Sequence, residues 1–281
     1  MDEIEFRFPR RSGALGTGVD FSGIDGIVSD MDGVLWRGDS ALPGLAELFA
    51  FARERALPVA LATNNSAKSQ REYVGKLERL GVAGVRESQI VTSRVATVDY
   101  LRRHHPAGST VYVIGSPGLS EMIAAAGFVV ATAAEIVVVG LDTALTYDKL
   151  ARAALCIRAG ASFIGTNGDV ALPGEGGLLP GAGSILAALE AATGVAPTII
   201  GKPQPAMFEA ALHVLGTVAE RTLMLGDRLA TDIAGARRAG LKAALLLTGV
   251  TTAADIAASG FTPDATYPDL PALLADWRRS V

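Results

Sequence analysis

The stretch Asp30-Met31-Asp32-Gly33-Val34-Leu35-Trp36 decides how the chain is read. It follows Ile24-Asp25-Gly26-Ile27-Val28-Ser29, a short apolar run that predicts a buried strand. Two carboxylates therefore sit where a strand stops, and Gly33 lets the chain turn away. In open parallel sheets, ligands bind in the crevice outside the carboxyl ends of the strands. Two acids so close repel each other, and nothing in the stretch neutralises them. A hard cation such as Mg²⁺, which prefers oxygen ligands, would relieve them. Alone, Asp-x-Asp-Gly is also an ordinary turn sequence. A calcium loop does not fit, because Val34 and Leu35 stand where an oxygen ligand and the invariant glycine belong. The stretch gains meaning only if later strand ends supply a hydroxyl, a lysine and further acids, in that order.

They do. A helix over 43–55, with Leu45, Leu48, Phe49 and Ala52 on one face, leads to a strand over 58–62 that ends in Thr63-Asn64-Asn65-Ser66. Helices come next, one carrying Tyr73 and Leu77 and one from about 93 to 103. A central block then runs strand, helix, strand, helix, strand from 110 to 165 and ends in Thr166-Asn167-Gly168-Asp169. Residues 170–183 are rich in Gly and Pro and are expected to be loop before another helix. A strand over 197–200 ends in Gly201-Lys202-Pro203, and one over 222–225 ends in Gly226-Asp227-Arg228-Leu229-Ala230-Thr231-Asp232. The lysine is not part of a Walker loop, since Ala196 and Pro203 replace the required Gly and Ser/Thr. Alternating strands and helices predict a parallel sheet covered on both faces. Thr63 could instead cap a helix, Lys202 could be a solvated surface residue, and Asp227 and Asp232 could be turn and helix residues. Their falling at successive strand ends of one sheet is expected to outweigh those separate explanations.

Composition narrows the function. The 281 residues are 49% hydrophobic and 19% charged, enough for a real core and more than one domain. Net charge is −4, and no long basic block or basic-aromatic stripe is present, which argues against nucleic acid. Cys156 is the only cysteine, so no internal disulfide forms, and a reducing cytoplasm fits. His104, His105 and His213 lack zinc-type spacing. No apolar run has membrane-spanning length. The first residues, to about 19, read as a loose leader, with charge at Phe6-Arg7-Phe8-Pro9-Arg10-Arg11 but no apolar core after it.

The four strand ends resemble the motifs of the haloacid dehalogenase-like (HAD) superfamily, and the resemblance covers nearly the whole chain. Thr63-Asn64-Asn65-Ser66 and Leu247-Thr248-Gly249-Val250 are similar to its NagD-like branch of p-nitrophenylphosphatases and phosphoglycolate or glycerol phosphate phosphatases. The resemblance implies an α/β fold. A Rossmann-like parallel-sheet core over 1–103 and 196–281 would carry an inserted α/β cap over 104–195. It implies a Mg²⁺-dependent phosphomonoesterase of small phosphorylated metabolites. Asp30 would be the nucleophile, and Asp32 the general acid that later acts as base. Asp30, the Asp32 backbone carbonyl and Asp227 would hold Mg²⁺, with Asp232 supporting the cluster. Thr63 and Lys202 would bind the phosphoryl group, together with Gly33, Asn64 and Asn65. A small-molecule phosphate ester is the expected partner, and caps of this branch often pair into a homodimer.

Three alternatives are weighed. A nucleotide or sugar monophosphatase would share the fold. A dehalogenase would share the nucleophile but needs neither Asp32 nor Mg²⁺. A receiver-type signalling module also gathers acids, Thr and Lys at strand ends, yet is much shorter and needs no acid two residues after its phosphorylated Asp. The cap is expected to choose the substrate, and Asn167 and Asp169 could hydrogen-bond its leaving group if their loop reaches down to it. A solvated Asn-Gly turn is the competing explanation of that loop.

Overall fold

The structure, a computed structural model, describes residues 19–66, 68–174, 176–259 and 262–280. The expected N-terminal leader lies outside the described residues, apart from its end at Val19. The chain divides into two compact units, one of residues 1–59 with 217–281 and one of residues 60–216.

In the first unit, four parallel strands lie in the order Ala265–Tyr267, Lys242–Leu246, Thr222–Gly226, Gly26–Ser29. Gly26 to Ser29 pair in register with Thr222 to Leu225. Every residue of these two strands is buried. Burial on both faces explains why they read as continuous apolar runs and not as alternating ones. The pairing also sets Asp30 and Asp227, one and two residues beyond paired positions, at neighbouring strand ends. A small antiparallel hairpin, Trp36–Arg37 with Ser40–Ala41, comes after the first acids. Helix Leu45–Glu54 packs against helix Leu270–Ser280. Trp277 of the latter stacks on Phe21 at 4.6 Å and meets Phe51 at 5.1 Å between ring centroids.

Strand Val59–Thr63 carries the chain into the second unit, where it pairs in parallel with Ile90–Thr92. Helix Gln70–Arg79 starts at Ser69, whose hydroxyl and Glu72 form a reciprocal cap. Helix Ser93–His104 packs on helix Pro205–Leu215. A parallel five-stranded sheet has the order Thr198–Ile199, Ser162–Gly165, Ile136–Val139, Thr110–Ile114, Val129–Val130. Helices Tyr147–Arg158 and Ala182–Thr193 contribute to its core, where Ile157, Leu186 and Leu189 meet Val137, Val139 and Phe163. Among the described residues, no helix is long and apolar enough to cross a membrane.

Two local expectations are corrected. Residues 170–183 are not simple loop, since Ala171–Gly174 and Gly177–Pro180 pair as an antiparallel hairpin. The strand before Lys202 belongs to the five-stranded sheet, where Thr198 pairs with Ile164 and Ile199 with Gly165. It does not pair with the strands that carry Asp30 and Asp227. A strand of two residues has no pattern that names its partner, so the sequence could place the lysine at a strand end but not in a sheet.

Because Trp277 is buried and holds two rings of the first unit together, Trp277→Ala is expected to lower its stability by about 3–5 kcal/mol. Denaturant unfolding of the variant and the wild type measures the loss.

Candidate active site

The acidic end of the first unit is shaped by backbone hydrogen bonds. Asp30 N donates to Leu225 O at 2.8 Å, which carries the strand pairing one residue past Ser29. The Met31 carbonyl then accepts from Val34, Leu35 and Trp36, at 3.3, 2.8 and 3.3 Å, and winds the chain into a tight turn. Gly33 sits in that turn with φ +87°, a conformation other residues adopt only with strain. The turn swings Trp36 back, so that its buried indole donates Nε1–H to Asp32 Oδ1 at 2.8 Å. Asp32 itself is exposed.

Asp227 follows strand Thr222–Gly226, and a π-helical turn, Leu229–Ile233, brings Asp232 back beneath it. Asp232 Oδ2 accepts from the backbone N–H groups of Asp227 (3.2 Å) and Arg228 (3.0 Å). Asp227 Oδ2 accepts from Val250 N at 2.8 Å. A Cβ on Gly249 would overlap the Asp227 carboxylate, so a side chain here would force that carboxylate aside. Thr248 Oγ1 donates to Gly33 O at 2.6 Å and ties this loop to the turn after Asp30.

Asp30, Asp227 and Asp232 each place one carboxylate oxygen within a 4.8 Å group, and they are only 8%, 1% and 0% exposed. Three buried acids so close cannot all ionise without compensation, and backbone donors supply part of it. The donor set, all hard carboxylate oxygen, fits a divalent cation of the Mg²⁺ or Ca²⁺ type and does not fit a thiolate- or imidazole-seeking metal. The Asp32 side chain is not part of this cluster.

The second unit holds the remaining expected residues. Thr63 is buried, and its Oγ1 accepts from Asn65 N at 3.1 Å. It does not cap the next helix, a role that belongs to Ser69. Lys202 is 5% exposed and donates from Nζ to Ala62 O at 3.2 Å, so it is not a solvated surface lysine. Asn64 faces the Lys202 backbone with both ends of its amide: Nδ2 donates to Lys202 O at 2.9 Å, and Oδ1 accepts from Lys202 N at 2.7 Å. Asn167 is buried, donates to Asn64 O at 3.3 Å, and accepts from Asp169 N at 3.1 Å. Its amide thus braces the loop, while Asp169 and Asn65 are exposed. Three features had no signal strong enough to assign them a role from sequence. They are the Trp36 indole on Asp32, the crowding at Gly249, and the Asn64 amide on Lys202. The stretches that hold them, Asp30 to Trp36, Thr63 to Ser66 and Leu247 to Val250, are visible in the sequence, but these contacts are not.

Family profiles place this arrangement. One described as haloacid dehalogenase-like hydrolase matches residues 27–129, and one described as HAD-hydrolase-like matches residues 199–273. An acid sugar phosphatase of Staphylococcus saprophyticus is 37% identical over 86% of this chain and 93% of its own length. The chain belongs to the haloacid dehalogenase-like hydrolases. Solved structures agree with the NagD-like branch. A 4-nitrophenylphosphatase from Thermotoga maritima is 34% identical over 92% of this chain and 99% of its own, with a TM-score of 0.84. A glycerol phosphate phosphatase from Mycobacterium tuberculosis in complex with calcium is 34% identical over 90% of this chain and 76% of its own, with a TM-score of 0.81. The fold class is accordingly HAD-like, a parallel-sheet α/β core with an inserted α/β cap.

If the Asp227 carboxylate is held for a cation, crowding it from behind should weaken the cation. Gly249→Ala is expected to reduce divalent-cation affinity about tenfold or more, read by isothermal titration calorimetry with Mg²⁺ or Ca²⁺ in the absence of substrate.

Proposed function

We propose that this chain, a phosphatase of the HAD family acting on small phosphate substrates, hydrolyses the monoester of a small metabolite through a phosphorylated Asp30. The observation that carries the reading is the buried group Asp30, Asp227 and Asp232 at adjoining strand ends, with a fourth acid, Asp32, two residues from the first. An Asp30 carboxylate oxygen attacks phosphorus, the bond from phosphorus to the ester oxygen breaks, and Asp32 gives that oxygen its proton. Asp32 then takes a proton from water, whose oxygen attacks the same phosphorus. Inorganic phosphate leaves and the Asp30 carboxylate is restored. Thr63 and Lys202 are assigned to the phosphoryl oxygens, with Gly33 and Asn65 as further candidates for that role.

Mg²⁺ is the proposed cation, held by Asp30, the Asp32 carbonyl and Asp227 with Asp232 supporting; when bound it neutralises charge between an anionic nucleophile and an anionic substrate. The indole of Trp36 fixes one oxygen of the exposed Asp32 and so limits how the carboxylate can turn. Within the second unit, we assign the block 104–195 as the cap that selects substrate. Asn167 shapes its loop, and Asp169 is the residue of that loop proposed to meet the leaving group. Glycerol phosphate, phosphoglycolate and p-nitrophenyl phosphate-like esters are the proposed substrate class. A sugar monophosphate is the second reading, favoured by the similarity to an acid sugar phosphatase.

Asp30→Asn preserves shape and removes the nucleophilic charge, so turnover should fall at least about a thousandfold while the fold is kept. Retention of a tenth of the activity or more, as a rough threshold, would exclude the covalent role. Asp32→Asn should damage alkyl phosphate hydrolysis more than that of p-nitrophenyl phosphate, whose leaving group needs less protonation. Asp169→Ala should change the relative kcat/KM among glycerol phosphate, phosphoglycolate and sugar phosphates. Unchanged ratios would remove Asp169 from substrate choice.

A further inference from the structure

The Asn64 side chain spends one donor and its acceptor on a single backbone residue 138 positions away in sequence. An amide that pairs with both N–H and C=O of one residue fixes that residue in two directions, much as a neighbouring strand does. The residue so fixed is Lys202, whose ammonium also reaches Ala62 O, in the strand that leads to Asn64. Asn64 is itself restrained. Its own carbonyl accepts from Ser93 Oγ at 2.9 Å and from Asn167 Nδ2 at 3.3 Å. The approach requires glycine beside the lysine, because a Cβ on Gly201 would lie 2.7 Å from Asn64 Oδ1 and 2.8 Å from Asn167 Cβ.

We infer that Asn64 is a positioning residue for Lys202, acting on the reaction through the lysine and not as an independent phosphate ligand. The inference rests on the assignment of Lys202 to the phosphoryl oxygens. A lysine has a long flexible stem and a point charge, so what the protein can fix is the backbone from which the stem departs. Electrostatic stabilisation of a transition state depends on donors held in place before the charge develops, and a displacement of about 1 Å can cost about a hundredfold in rate. The segment before Lys202 pairs with its sheet through Thr198 and Ile199, and Ile200 N adds a bond to Gly165 O at 2.9 Å, which leaves Gly201 and Lys202 past the end of the paired strand. Gly201 N donates to Thr166 O at 2.9 Å, and the Asn64 amide supplies the next two bonds along the chain. Asn64 therefore continues the ladder to the residue that matters for chemistry.

The test is a double-mutant cycle on kcat/KM for p-nitrophenyl phosphate, with Asn64→Ala, Lys202→Met and the double variant, each checked for folding by thermal melting. Expected is a loss of about tenfold or more for Asn64→Ala in the wild-type background and of less than about twofold when Lys202 is already Met. Equal fold-losses in the two backgrounds would show that Asn64 acts on the substrate independently and would overturn the inference. So would no loss in the wild-type background. Should Asn64→Ala not fold, the same cycle with Asn64→Gln gives the same reading, because glutamine keeps an amide at this half-buried position but is one methylene too long for the clamp. Full activity of Lys202→Met alone is a different result: it removes the assigned role of the lysine, and with it the phosphoryl-binding assignment on which the inference rests.

Discussion

The first unit is arranged around a charge problem: three carboxylates buried within a few ångströms of one another. Two like charges 4 Å apart repel by about 4 kcal/mol even at an effective dielectric constant of about 20. Such a group persists only if compensating dipoles, a shared proton or a bound cation relieve the repulsion. The dipoles are the N–H groups of Asp227, Arg228 and Val250, aimed at Asp232 and Asp227. Their placement dictates the local backbone. A π-helical turn returns Asp232 under Asp227, and glycine at 249 leaves the Asp227 carboxylate where it stands. The parallel register of Gly26–Ser29 with Thr222–Gly226 brings the acids of two distant sequence segments to one place.

The second unit treats a charge of opposite sign in a comparable way. Lys202 is almost fully buried, and burial disfavours its charged form unless oxygen acceptors are near. One acceptor is the carbonyl of Ala62, one residue before Thr63. The Asn64 amide holds the Lys202 backbone, the Lys202 ammonium reaches Ala62 O, and the Thr63 hydroxyl accepts from Asn65 N in the same turn. Asn167, which the sequence offers as a leaving-group contact if its loop reaches the substrate, is built into the support of this group through Asn64 O. That network joins the loop after strand Ser162–Gly165 to the lysine, which gives the proposed cap and the proposed phosphoryl site a shared structural element.

Much of this was legible because parallel strands buried on both faces announce themselves as apolar runs, and the residues just after each run are those the sheet presents at its end. Gly26–Ser29, Val59–Thr63 and Thr222–Gly226 were found in this way, and with them Asp30, Thr63 and Asp227. The sheet that precedes Lys202 was not legible, since Thr198–Ile199 is too short to carry a pairing pattern. The hairpin at 171–180 was hidden by glycines and prolines, and at positions 173 and 180 proline removes the donor by which strands are usually judged. Contacts such as Trp36 on Asp32 or Asn64 on Lys202 depend on side-chain direction after the backbone has turned, which no spacing rule encodes. The same holds for Gly249, whose importance lies in what stands behind it.

The central claim is that Asp30 carries the phosphoryl group during turnover. Rapid acid quenching of the enzyme during steady-state hydrolysis, then borohydride reduction of any acyl phosphate and peptide sequencing by mass spectrometry, tests it directly. The account predicts homoserine at position 30, formed only when substrate is present. Reduction at another carboxylate, or none at all while phosphate is being released, would contradict it.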